Sequence, residues 1–79
     1  MKYRLLYFGA LGECAGMAEE SVTSETSLLL ELYAQLRQRH GFGIEPARLR
    51  VAINGEFADW QQALRDGDEI VFLPPVSGG

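Results

Sequence analysis

One stretch of this chain, and only one, carries the period of an amphipathic helix. Within residues 28–40, Leu29, Leu32, Tyr33 and Leu36 recur at i, i+3, i+4, i+7 and line one side of a helix. Arg37, Arg39 and His40 fall in its last turn, where positive charge suits the helix dipole, and Gly41 stands where a left-handed cap is expected. The preceding run Ser24-Glu25-Thr26-Ser27 is rich in N-cap residues. A chain of 79 residues has room for one domain, so this apolar stripe must find its partner among strands.

The strands are short and alternate. Residues 2–8 place Tyr3, Leu5 and Tyr7 on one face and Arg4, Leu6 and Phe8 on the other. Residues 10–16, bounded by Gly9 and Gly16, read as a short helical turn, and residues 20–23 as a strand returning antiparallel to the first. A loop over 42–48 leads to a strand at 49–53, the turn signal Asn54-Gly55, and a short return at Glu56-Phe57. Residues 60–64 suggest a second short helical turn, and Asp66-Gly67-Asp68 a further tight turn. Residues 69–73 form a last strand, apolar on both faces, as expected of a central strand paired in parallel with the first. Pro74-Pro75 ends its pairing, because proline has no N–H to donate. The whole is an α+β roll: one main helix across a mixed sheet of four or five strands.

Composition narrows the function. With 11 acidic against 7 basic residues the net charge is −4 and the arginines are scattered, so the footprint of a nucleic-acid binder is absent. An acidic domain suits a protein partner with a basic surface. No apolar run approaches the ~20 residues of a membrane span, and the start is not a signal peptide. The expectation is a cytoplasmic, mature and complete chain. A single cysteine precludes an internal disulfide and fits a reducing compartment.

A conventional active site is hard to assemble. There is no Cys/His metal spacing and no phosphate-cradling glycine loop, so ATP binding by this chain alone is not expected. Cys14 and His40 are the one conceivable nucleophile and base, but nothing in the spacing brings them together. They read as a packing residue and a helix-end cation.

The ending is unusual. Residues 74–79, Pro-Pro-Val-Ser-Gly-Gly, follow directly on the last strand and span roughly 20 Å when extended. The prolines stiffen the first part, and the glycines fit a slot too narrow for any side chain. From the residues alone, a threading arm and a frayed terminus both remain open. Core packing and a partner interface are likewise both open for Phe8, Phe57 and Leu73.

A resemblance bears on that choice. The block Phe72-Leu73-Pro74-Pro75-Val76-Ser77-Gly78-Gly79 is similar to the tail of the molybdopterin synthase small-subunit family, as is Asp66-Gly67-Asp68-Glu69-Ile70-Val71 before it. The opening, residues 6–16, resembles that family's first strand and turn, and Asn54-Gly55-Glu56 its hairpin. Residues 9–12, Gly-Ala-Leu-Gly, depart from a segment that is more strongly helical in the family.

The resemblance implies a ubiquitin-like β-grasp domain over 1–73 and a flexible sulfur-carrying tail over 74–79. It implies that Gly79 is adenylated by a ubiquitin-activating-type adenylyltransferase, which consumes the ATP, and converted to a thiocarboxylate with sulfur from a persulfide donor. Gly78 gives steric access, and no cofactor is bound by the chain itself. The charged tail would then enter the large subunit of molybdopterin synthase, in a heterotetramer, and pass sulfur to cyclic pyranopterin monophosphate. Phe8, Phe57, Leu73, Pro74, Pro75 and Val76 match positions that dock on that subunit. A thiamine-pathway or other thiocarboxylate carrier, a ubiquitin-like protein modifier and a plain interaction module are the competing readings.

Overall fold

The computed structural model describes residues 1–75. The elements run β1 (Lys2–Tyr7), α1 (Ala10–Ala15), β2 (Glu19–Thr23), α2 (Leu29–His40), a short 3-10 turn at Pro46–Arg48, β3 (Arg50–Ile53), β4 (Glu56–Ala58) and β5 (Glu69–Leu73). The five strands form one sheet in the order β2-β1-β5-β3-β4. β1 and β5 are parallel neighbours at its centre, and every other pairing is antiparallel. The proposed central parallel pair and the single main helix are both present.

The core lies between the sheet and α2. Tyr3, Leu5 and Tyr7 of β1, Ile70 and Phe72 of β5, and Val51 of β3 are buried against Leu29, Leu32, Tyr33 and Leu36. The Tyr33 ring lies 5.4 Å from that of Phe72 and 5.3 Å from Trp60, which fixes the helix on the sheet by aromatic packing. Phe42, assigned to a loop by its sequence, is also buried and stacks on Tyr33 at 6.1 Å.

Local expectations are met where the cause is local. Asn54 and Gly55 have φ of 52° and 87°, the double left-handed turn that favours Asn-Gly in a two-residue hairpin. Gly41 closes α2 at φ 75°, its N–H donating to the Arg37 carbonyl at 2.7 Å.

Two expectations are corrected. The cap of α2 is not drawn from residues 24–27. Leu28 is the boundary residue, in extended conformation, and the Thr26 hydroxyl accepts its N–H at 3.2 Å. Leu28 is held extended because it bridges Ala63, with Leu64 N–H donating to Ser27 and Leu29 N–H to Gln62. That same bridge prevents the helical turn expected over 60–64. One turn closes from Gln62 to Asp59, and the chain then runs extended beside Leu28.

Candidate docking face at the root of the C-terminal segment

Strand register determines what the outer face of the sheet presents. Leu6 of β1 pairs with Val71 of β5, Val71 with Ala52 of β3, and Ala52 with Phe57 of β4. Directly paired residues share a face, so these four form one apolar row across the sheet. The next row holds Leu73, paired with Arg50. Phe8 continues β1 alongside it, its N–H donating to the Phe72 carbonyl at 3.3 Å. The Arg50 guanidinium lies 5.2 Å above the Phe57 ring. At the other end the face turns polar, where Arg4 meets Glu19 at 2.8 Å and Glu69 at 3.7 Å.

Nothing among the described residues covers this face. Phe57 is 69% exposed and Phe8 50% exposed, whereas Leu6, Val71 and Leu73 are half-buried by their neighbours in the sheet. The structure thus brings Phe8, Phe57 and Leu73, read separately from the sequence, onto one surface. It adds Leu6, Val71 and Ala52 between them and Arg50 beside them. The signal for Val71 was available, since β5 is apolar on both faces. Centrality in the sheet accounts for the inner face only; the outer residues are apolar with no second layer over them. Contiguous exposed apolar surface of this kind makes the face a candidate interaction site.

Leu73 ends β5 on this face, and the chain passes to half-buried Pro74 and exposed Pro75. Val76, Gly78 and Gly79 lie outside the described residues, so their expected roles in docking, access and sulfur carriage remain expectations. On the opposite side of Pro74 is the turn between β1 and α1. Residues 10–15 are helical although the sequence there is glycine-containing; a Cβ at Gly12 would lie 3.0 Å from the Tyr7 carbonyl oxygen, so glycine allows α1 to press on β1.

The other chemistry-bearing side chains sit together, away from that face. Contrary to what the spacing suggests, Cys14 and His40 are neighbours: the thiol donates to the His40 backbone carbonyl at 3.2 Å. The imidazole turns elsewhere, with Nε2 2.8 Å from Glu20 Oε1. Tyr7 donates its hydroxyl to the same oxygen at 2.7 Å, and Arg39 reaches Glu20 Oε2 at 3.3 Å. Burial pushes the Glu20 carboxyl up, but the Tyr7 and His40 hydrogen bonds and the His40 and Arg39 charges outweigh it and hold it below the ordinary range. Burial, then the bond to Glu20, pushes the Tyr7 phenol far up, so it stays a donor. An ionised carboxylate only accepts, so His40 Nε2 carries a proton toward Glu20. The imidazole is engaged with Glu20, and the thiol donates to a backbone carbonyl, so the two are not set as nucleophile and base; Cys14 is exposed, not the packing residue expected of it. No grouping of residues suited to a metal ion occurs among the described residues.

The mixed sheet, the single crossing helix and the uncovered face at the root of the C-terminal segment define a ubiquitin-like β-grasp protein. A ubiquitin-like protein from the archaeon Caldiarchaeum subterraneum shares this fold, with a TM-score of 0.57 at 17% identity over 99% of this chain and 100% of that one. More specifically, the chain belongs to the ThiS family, whose profile it matches over residues 5–79. It is 34% identical to the molybdopterin synthase sulfur carrier subunit of Mycobacterium tuberculosis, over 100% of this chain and 99% of the relative. Among solved structures it is similar to small archaeal modifier protein 1 of Haloferax volcanii, with a TM-score of 0.81 at 26% identity over 95% and 98% of the two chains. It is also similar to a chain in the complex of subunits 1 and 2 of the molybdopterin-converting factor from Helicobacter pylori, with a TM-score of 0.70 at 29% identity over the full length of both chains.

Proposed function

We propose that this chain is the sulfur-carrying small subunit of a molybdopterin synthase and that Gly79 is its working residue. The observation that carries the reading is the convergence of Phe8, Leu73 and Phe57 on one uncovered sheet face from which the C-terminal segment departs. An arm that delivers a group into another protein needs such a docking surface at its root. The M. tuberculosis relative named as a sulfur carrier and the H. pylori two-subunit complex support the same reading.

The chemistry follows from the terminal carboxyl. At neutral pH it is an anion and a poor electrophile. An adenylyltransferase of the ubiquitin-activating type, with ATP, makes it a glycyl adenylate; a persulfide donor then displaces AMP to form an acyl disulfide, and a second thiol cleaves its S–S bond to release the thiocarboxylate and leave a disulfide on the donor. Docking through Phe8, Phe57, Leu73, Pro74, Pro75 and Val76 brings that sulfur to a pterin precursor held by the large subunit, in a heterotetramer. Gly78 and Gly79 allow entry into a narrow channel. The chain itself catalyses no step and holds no cofactor; base and substrate pocket belong to the partner. No described helix is long and apolar enough to cross a membrane, and the proposed place of action is the cytoplasm.

The similarity to an archaeal modifier protein sustains a second reading, attachment of Gly79 to lysines of other proteins. One reconstitution separates the two. With activating enzyme, ATP, sulfur donor, large subunit and cyclic pyranopterin monophosphate, the carrier reading predicts pterin sulfuration that depends on this chain. Lysine conjugates formed without pterin sulfuration favour the modifier.

A further inference from the structure

We infer that Gly9 is a positioning residue for the C-terminal segment: its missing side chain seats Pro74 against the β1–α1 turn and so sets the direction in which the segment leaves the domain. This rests on the sulfur-carrier reading and deepens it. Gly9 has φ 56° and ψ −131°, a conformation that L side chains rarely adopt. A Cβ at Gly9 would also meet Pro74 Cγ at 3.2 Å, closer than a methyl group is normally accommodated. Gly16, Gly41, Gly55 and Gly67 have positive φ too, yet a Cβ there would meet nothing within 4 Å. Gly9 alone in this set combines the backbone requirement with a close approach, and the group it approaches is the root of the tail.

The seat is rigid on both sides. The Gly9 carbonyl accepts the Glu13 N–H at 3.2 Å, and α1 is fixed by buried Leu11 and by Gly12 against Tyr7. Across from it, β5 is held centrally by β1 and β3 up to Leu73. Pro74 and Pro75 each fix their own φ, so a direction imposed at Pro74 is carried into Pro75. Phe8, on the docking face, precedes Gly9 directly. One turn therefore places a docking side chain and the root of the arm relative to each other. Delivery of a reacting atom over the length of the arm is sensitive to such aim, since ångström-scale misplacement costs on the order of a hundredfold in rate.

The test uses full-length protein carrying a chemically installed Gly79 thiocarboxylate, so that activation is bypassed. Sulfur transfer is followed in the complex with the large subunit for the unaltered chain, Gly9→Ala, Pro74→Ala and the double variant. Gly9→Ala is expected to lower kcat roughly tenfold, with Kd for the large subunit within about threefold of the unaltered value. In the double variant the Cγ that the new methyl meets is gone while the positive φ still strains the alanine, so its rate should recover part of the way toward that of Pro74→Ala alone. Transfer by Gly9→Ala at the unaltered rate, or a double variant no faster than Gly9→Ala, overturns the inference. Should the unaltered chain deliver no sulfur at all, the carrier reading falls, and the seat is decided by NMR. A nuclear Overhauser contact between the Gly9 α protons and the Pro74 ring then supports it, and the absence of that contact overturns it.

Discussion

At the scale of single residues, two side chains separate the docking face from the core. Phe57 gives the fold little, since it is 69% exposed and the Arg50 guanidinium lies over its ring; such a contact is worth ~0.5–1 kcal/mol at an exposed site. Phe57→Asp should therefore leave the melting temperature within about 5 °C. It should weaken binding to the large subunit by at least about thirtyfold, the loss typical of an aromatic anchor. A collapse of the melting temperature, read by calorimetry, would place Phe57 in the core instead. Glu20 is the converse case, touching no part of the docking face while joining β2 to Tyr7, His40 and Arg39. Its folded value lies below the ordinary 4.5. The stability it contributes is therefore complete above that value and is lost as pH falls through the depressed one. Glu20→Gln should cost about 1–3 kcal/mol near pH 7. It should also flatten the fall in stability as pH drops below the ordinary carboxyl value of 4.5 and through the depressed one. Denaturant titrations across that range check both, and an unchanged acid limb would remove Glu20 from the account.

At the scale of elements, the β3–β4 hairpin shows how a local signal is tied into the whole. Asn54 tolerates the left-handed turn, donates to Asp68 at 2.9 Å and accepts the Glu69 N–H at 3.0 Å. The hairpin is thereby clamped to the start of β5. Asn54→Gly keeps the conformation and loses the clamp, and should cost about 1–2 kcal/mol by chemical denaturation. Asn54→Ala also forces a Cβ-bearing residue into positive φ and should cost roughly 1 kcal/mol more. Equal losses would mean that the turn conformation is not under strain. The same elements show what the sequence discloses. The α2 stripe, the Asn-Gly turn and the β1 alternation were legible because each is decided by residues adjacent in the chain. The true cap at Leu28 and the extended path through Ala63 were not, because a contact between segments about thirty-five residues apart decides them. Phe42 was hidden in a loop, and its burial depends on Tyr7, Tyr33 and His40 arriving from other elements. For the docking face, alternation showed which way Leu6 and Phe8 point but not whether anything lies over them. The proximity of Cys14 to His40 arises only when α1 folds beside the end of α2.

At the scale of the whole molecule, the domain is a platform. Its inner face is closed by α2, its outer face is open and apolar, and its central strand leads straight into the C-terminal segment. In the proposed role this platform holds a terminal carboxyl and presents it to partners that supply the chemistry. That division of labour makes Gly79 the central claim. Replacement of one carboxyl oxygen by sulfur at a C-terminus that is otherwise a carboxylate at neutral pH adds about 16 Da to the intact chain. Intact-mass analysis after incubation with the activating enzyme, ATP and a sulfur source should show that gain on the unaltered protein, and no gain when Gly79 is deleted or followed by an extra residue. A chain lacking Gly79 that still gains the mass, or still delivers sulfur at the normal rate, would contradict the account.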